Sequence, residues 1–200
     1  MMAAPRQTSC SRPTQQVYVT PYSLKVVTYV GDVMALPADA VVTSEKQDLD
    51  RESQVTTTLK KSSKEFAEKR NEKKRTTRRF KSWSVHTTHL LNPSPFTFVF
   101  HAIVKRPGET NRWVMKMRRL YKTIMKKAEK YGVQVLAVPL LGTGRGGAKP
   151  QEAAQAAVEA IAHYKPKCLQ KVFLVTVETS IAEITGSQCE FVFSPFFTNK

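Results

Sequence analysis

Residues 138–147 read Val-Pro-Leu-Leu-Gly-Thr-Gly-Arg-Gly-Gly, and four of the chain's eight glycines fall within the last six of them. The apolar run VQVLAVPLL (133–141) leads in as a buried strand. Pro150 then opens an alanine-rich helical pattern over 150–164. A glycine loop between a strand and a helix lets the backbone come close to a phosphate. Its amides and the positive end of the helix then face the anion. Gly142-Thr143-Gly144-Arg145-Gly146-Gly147 matches GxGxxG, but two familiar phosphate loops do not fit. The dinucleotide fingerprint belongs on the first strand–helix turn with an acidic residue about 20 positions on. Here Lys165 and Lys167 stand near that place. No Gly-Lys-Ser/Thr ends the motif, so it is not a P-loop. The competing reading is a tight turn that binds nothing.

Working outward, strands alternate with helices. Residues 1–16 are polar and read as a disordered tail. Residues 17–30 read as two strands separated by Pro21, with Gly31-Asp32 ending the second and a short turn or helix at 34–37. Residues 38–42 read as a buried strand, 45–53 as a polar loop and 54–74 as one helix anchored by Val55, Leu59 and Phe66. Residues 75–95 have no clear period, and 96–104 (FTFVFHAIV) are a strand. In 111–131, Val114, Met117, Tyr121, Ile124, Ala128 and Tyr131 recur at helical steps, and Gly132 stops the helix. Residues 171–177 are a further strand, and CEFVFSPFF (189–197) reads as a last edge strand or an apolar docking segment. The alternation predicts one α/β domain over 17–200, with a mainly parallel sheet.

The net charge is +16, and two segments carry it. Residues 60–81 hold eleven Lys/Arg against three Glu, and residues 105–130 hold ten against two. Such a field attracts polyanions. Lys60, Lys61, Lys73, Lys74, Arg75, Arg78, Arg79, Lys122 and Lys126 are the candidate contacts to RNA or DNA. The alternative is a solubilising surface. Phe80, Trp83 and Trp113 lie within or beside these segments and are read as base-stacking or packing residues. No apolar run approaches the ~20 residues of a membrane span, and the opening residues lack the apolar core of a signal peptide. A cytoplasmic or nuclear location is therefore expected, with 70–81 a nuclear-import candidate. Cys10, Cys168 and Cys189 show no CxxC spacing, and His86 and His89 lack a third ligand, so neither metal nor cofactor is expected.

VPLLGTGRGGAKPQEAAQAAVEAI resembles the second phosphate loop and following helix of macro domains, the ADP-ribose-binding modules. KVVTYVGDVMALPADAVV resembles that family's strand–Gly-Asp–strand opening, and FVFHAIV its middle strand ending in His. The resemblance covers residues 24–182 and implies a three-layer α/β/α sandwich with a mixed, mostly parallel sheet. It implies that Asp32 accepts a hydrogen bond from an adenine amino group, beside Val33. It also implies that Leu141, Gly142, Thr143, Gly144, Arg145 and Gly146 wrap a diphosphate and distal ribose. From the residues alone, the competing readings are that Asp32 caps the following turn and that Arg145 is a plain loop charge.

The first phosphate loop departs from the family. The usual strand end Asn-Ala-Ala-Asn is here Thr43-Ser44-Glu45-Lys46, and no glycine occurs between Gly31 and Gly108. Other residues rarely take positive φ or bring the backbone as close to a phosphate. Glu45 or Glu52 beside a diphosphate would repel it by about 4 kcal/mol at ~4 Å and an effective dielectric of ~20, unless a cation such as Lys46 intervenes. Three functions follow as expectations. The first is a weak, non-catalytic binding module for ADP-ribose-type nucleotides, free or attached to a target. The second is a divergent domain that binds RNA or DNA through its basic faces. Least favoured is an ADP-ribosyl hydrolase, since the Asn pair is replaced by Thr43 and Lys46.

Overall fold

The computed structural model describes residues 15–92 and 95–193. Seven strands form one sheet: β1 (Gln15–Val19), β2 (Lys25–Val30), β3 (Ala40–Glu45), β4 (Val85–His89), β5 (Phe98–Ile103), β6 (Val135–Pro139) and β7 (Lys171–Thr176), in the order β1-β2-β7-β6-β3-β5-β4. The inner five run parallel, and β1 and β4 close the two edges antiparallel. All five parallel strands therefore end along one side of the sheet. In an open α/β sheet that side is where ligands collect.

Helices cover both faces, giving the expected three-layer sandwich. On one face α1 (Gln54–Ser62) and α2 (Lys64–Thr76) put Leu59 and Phe66 against Val27, Val41 and Val99 of the sheet. On the other lie α3 (Trp113–Lys130), α4 (Pro150–Ala162) and α5 (Thr179–Phe193). α3 buries Met117, Leu120, Tyr121, Ile124, Met125 and Ala128, each large apolar side chain contributing about 1.5–3 kcal/mol. α4 turns alanines inward, which lets it pack closely between α3 and α5.

Three expectations need correction. Residues 54–74 do not form one helix. Ser63 leaves helical geometry at φ −136°, ψ 107°, ends α1, and its hydroxyl accepts the Phe66 amide at 3.1 Å to start α2. A serine side chain that competes for backbone amides favours such a break. The segment from 189 does not begin an edge strand. Ile181, Thr185, Cys189 and Phe193 recur every fourth residue as the buried stripe of α5, and β1 already occupies that sheet edge. Residues 194–197 of that segment lie outside the described residues, as do 1–14 of the expected tail; Gln15 and Gln16 belong to β1. The stretch without clear period, 75–95, contains the edge strand β4.

Candidate functional site

The glycine turn leaves β6 at the carboxyl side of the sheet. Leu140 donates its amide to the Val175 carbonyl (3.1 Å) and Leu141 donates to the Tyr121 hydroxyl (3.0 Å), which fixes where the turn starts. Burial pushes that hydroxyl well above its ordinary pKa, so Tyr121 stays neutral. The Thr143 hydroxyl donates back to the Leu140 carbonyl at 2.7 Å. Ala148 donates to Gly142 O at 2.9 Å and closes the loop at the start of α4. Gly142 has φ +90°, and a β-carbon there would lie 2.5 Å from Cζ2 of Trp113. Trp113 is itself pinned by its indole N–H to the Lys105 carbonyl at 2.8 Å. Only glycine fits between that indole and the turn.

The loop amides divide into two sets. Gly146 donates to Thr143 O (3.3 Å), and Gly147 to Gly144 O (3.1 Å). The amide of Gly146 is thus turned inward. The amides of Gly142, Thr143, Gly144 and Arg145 have no acceptor among the described residues. Gly144, at φ +60°, has nothing within 4 Å of where a β-carbon would point. Arg145 is exposed. Four N–H groups without an acceptor thus lie in the turn that leads into α4, buried at Gly142 and exposed at Gly144 and Arg145, and such amides suit an anion. Across the same side, Asp32 follows β2 with its carboxylate exposed, accepting the Met34 amide at 2.9 Å. It caps the 3₁₀ turn Val33–Ala35 and keeps a free oxygen outward. Val33 buries its side chain in the core, so only its backbone faces this edge.

At the carboxyl end of β3 the loop is replaced by a buried polar cluster that sequence reasoning missed. Arg70 of α2 is 1% exposed although it lies inside the basic tract. Its guanidinium grips Glu45 through Nη2–Oε2 (2.9 Å) and Nε–Oε1 (3.3 Å), and also donates to Leu49 O (2.9 Å) and Glu52 Oε1 (3.2 Å). Thr56 donates to Glu45 at 3.0 Å, and His101 Nδ1 lies 3.5 Å from it. His101 is shared at 3.3 Å with Thr43 and at 2.9 Å with Thr88 and lies flat against Phe66. Burial alone would raise the Glu45 carboxyl; hydrogen bonds from His101 and Arg70 outweigh it and hold the pKa below the usual range. The following segment folds over this cluster. Leu49 takes φ +56° and is buried against Phe80 and Ile103, while Phe80 and Gln47 exchange backbone and side-chain bonds. Glu52 is also paired with Lys60 at 2.7 Å. The expected repulsion of a diphosphate by Glu45 therefore does not arise. That carboxylate points inward and is neutralised. A contact between two residues 25 apart leaves no periodic trace, and only the placement of Arg70 one turn after Phe66 on the same face of α2 hinted at it.

The two basic segments lie on opposite faces of the sheet, carried by α2 and α3. Lys60 and Lys74 are compensated by Glu52 and Asp50, and Arg79 is held by Gln47. Lys61, Lys73, Arg75, Arg78, Lys122 and Lys126 have no carboxylate partner among the described residues. Phe80 and Trp113 are buried and Trp83 packs half-buried against the core, so none of the three is placed to stack on a base. Among the described residues no three His, Cys, Asp or Glu side chains form a metal-binding group.

Comparison with known proteins agrees with this architecture. A mutant of the Oceanobacillus iheyensis macrodomain, solved with ADPR, superposes with a TM-score of 0.81 at 14% identity over 90% of this chain and 100% of that one. A Trypanosoma brucei macrodomain in complex with ADP-ribose gives 0.66 at 16% identity over 81% of this chain and 68% of that one. In sequence, an uncharacterized protein of Aquifex aeolicus is 38% identical over 68 residues, a stretch that is 34% of this chain and 41% of that protein. The macro domain family model matches residues 42–157, more than half of the length. By that match the chain belongs to the macro domain family.

Proposed function

We propose that this macro domain binds an ADP-ribose-type nucleotide at the carboxyl side of its sheet and does not hydrolyse it. The observation that carries the reading is the set of four unengaged amides, Gly142 to Arg145, in the turn that leads into α4. They would hold the diphosphate, and the outward oxygen of Asp32 would accept from an adenine amino group. Solved relatives crystallised with ADPR and ADP-ribose support the ligand class. The closed segment over Arg70 offers no second phosphate cradle, so affinity should be modest. The positions where family resemblance expects an Asn pair hold Thr43, tied to His101, and Lys46, which speaks against hydrolysis.

Calorimetric titration with ADP-ribose tests this. Heat of binding is expected for the native chain and not for Gly144→Glu. That side chain enters open space and sets a carboxylate before the diphosphate. Absence of heat at millimolar ligand rejects the reading. Release of ADP-ribose from a modified protein would overturn its non-hydrolytic half.

A further inference from the structure

The opposite pole of the sheet carries a different surface. At the amino end of β5, the Phe98 ring neighbours both the His89 ring (centroids 4.9 Å, 22° between planes) and the Tyr131 ring (5.1 Å, 37°). His89 is exposed, and Tyr131, at the end of α3, is 37% exposed. Beside this aromatic stack an open hollow of about 390 Å³ runs between α2 and the edge strand β4, lined by Lys69, Lys73, Thr76, Thr87 and Thr88. Its acidic lining residue is Glu72; Lys69 is already balanced by Glu65 at 2.7 Å. His86, the second residue of β4, is held below the ordinary imidazole range first by burial and then by the charges of His101, Lys127 and Lys73, the last two reaching it from opposite faces of the sheet. Lys130 joins Lys127 in the last turn of α3. Lys73, Lys127 and Lys130 have no carboxylate partner among the described residues.

We infer that the β4 edge binds single-stranded nucleic acid, with a base stacked at the His89–Phe98–Tyr131 cluster and the phosphates following the lysines. Charge alone would suit any polyanion. Two features favour a nucleic-acid strand. The exposed His89 and Tyr131 rings beside half-buried Phe98, framed by cations, match how proteins hold unpaired bases. The cations also wrap around an edge, from α2 to α3, so a flat membrane would meet only one side of them. This site is independent of the nucleotide site at the other pole.

Fluorescence anisotropy with labelled dT15 and rU15 tests the inference. Three lysine–phosphate contacts give a slope of about −2 in log K against log salt, so raising salt from 50 to 200 mM should weaken binding about 20-fold. Lys73→Glu/Lys127→Glu should weaken it at least about tenfold, Tyr131→Ala about tenfold, and Lys165→Glu, outside this surface, should leave it unchanged. Saturating ADP-ribose should not displace the strand. Binding absent at 50 mM salt overturns the inference, as does a flat salt response. So does a charge-reversed pair that binds like the native chain, or displacement by ADP-ribose, which would move the strand to the other pole. Equal binding of polyglutamate or phosphatidylserine vesicles, insensitive to Tyr131→Ala, would assign the surface to an acidic protein or a membrane instead.

Discussion

Replacing Arg70 by methionine should destabilise the fold by about 3–5 kcal/mol, the cost of leaving a buried charge without its partner. The size follows from the geometry. Glu45 has no exposed side-chain surface, and Arg70 supplies two of its hydrogen bonds together with those to Leu49 O and Glu52. Glu52 keeps Lys60, so the loss concentrates on Glu45 and the Leu49 carbonyl. Urea denaturation at pH 7 measures it, and a fall in melting temperature of about 6–20 °C should accompany it. The dependence on pH gives a second check. In the native chain the Glu45 pKa is depressed. Its contribution is therefore present above the unfolded carboxylate value and is lost as pH falls through the folded one. Without Arg70, burial raises that pKa, so the variant regains stability as Glu45 takes a proton. The difference between variant and native chain should shrink from pH 7 towards pH 4. The double variant Arg70→Met/Glu45→Gln should be less damaged than the single one. A loss below about 1 kcal/mol at pH 7, or additive effects of the two substitutions, would refute the buried pairing.

Two further outcomes are expected. Gly142→Ala should cost about 2–4 kcal/mol, from positive φ and from contact with the Trp113 ring, whereas Gly144→Ala, in open space, should cost about 1 kcal/mol; equal urea midpoints for the two would contradict the loop geometry. Cys168 should alkylate slowly at pH 8 despite partial exposure. The Glu129 carboxylate, which accepts its thiol at 3.0 Å, holds the thiol pKa up. Glu129→Gln should accelerate labelling, followed by peptide mass spectrometry.

Much of this fold could be read from residue order. The helical steps of Met117, Tyr121, Ile124 and Ala128, the apolar strands and the glycine turn are local patterns, and each landed within a few residues of its element. What escaped depends on partners distant along the chain. The four-residue spacing of Ile181, Thr185, Cys189 and Phe193 was present, but the β-branched and aromatic content around it suggested a strand. Ser63 divides two helices through a single hydroxyl that helix propensity does not weigh. Arg70 was counted with its neighbours as surface charge, because the carboxylate that draws it inward is 25 positions away. At the site, the second glycine loop was legible because glycine itself is the signal. The first could be seen only as missing, and its replacement by a Leu49-capped ion pair became visible in three dimensions.

The Trp113 ring reaches within 2.5 Å of the β-carbon position of Gly142 and is buried, while the chain's other tryptophan, Trp83, sits after α2. The turn therefore carries a built-in optical probe. A shift of a few tenths of an ångström at Gly142 alters the indole's surroundings, so emission from a Trp83→Phe chain reports on the turn without any attached dye.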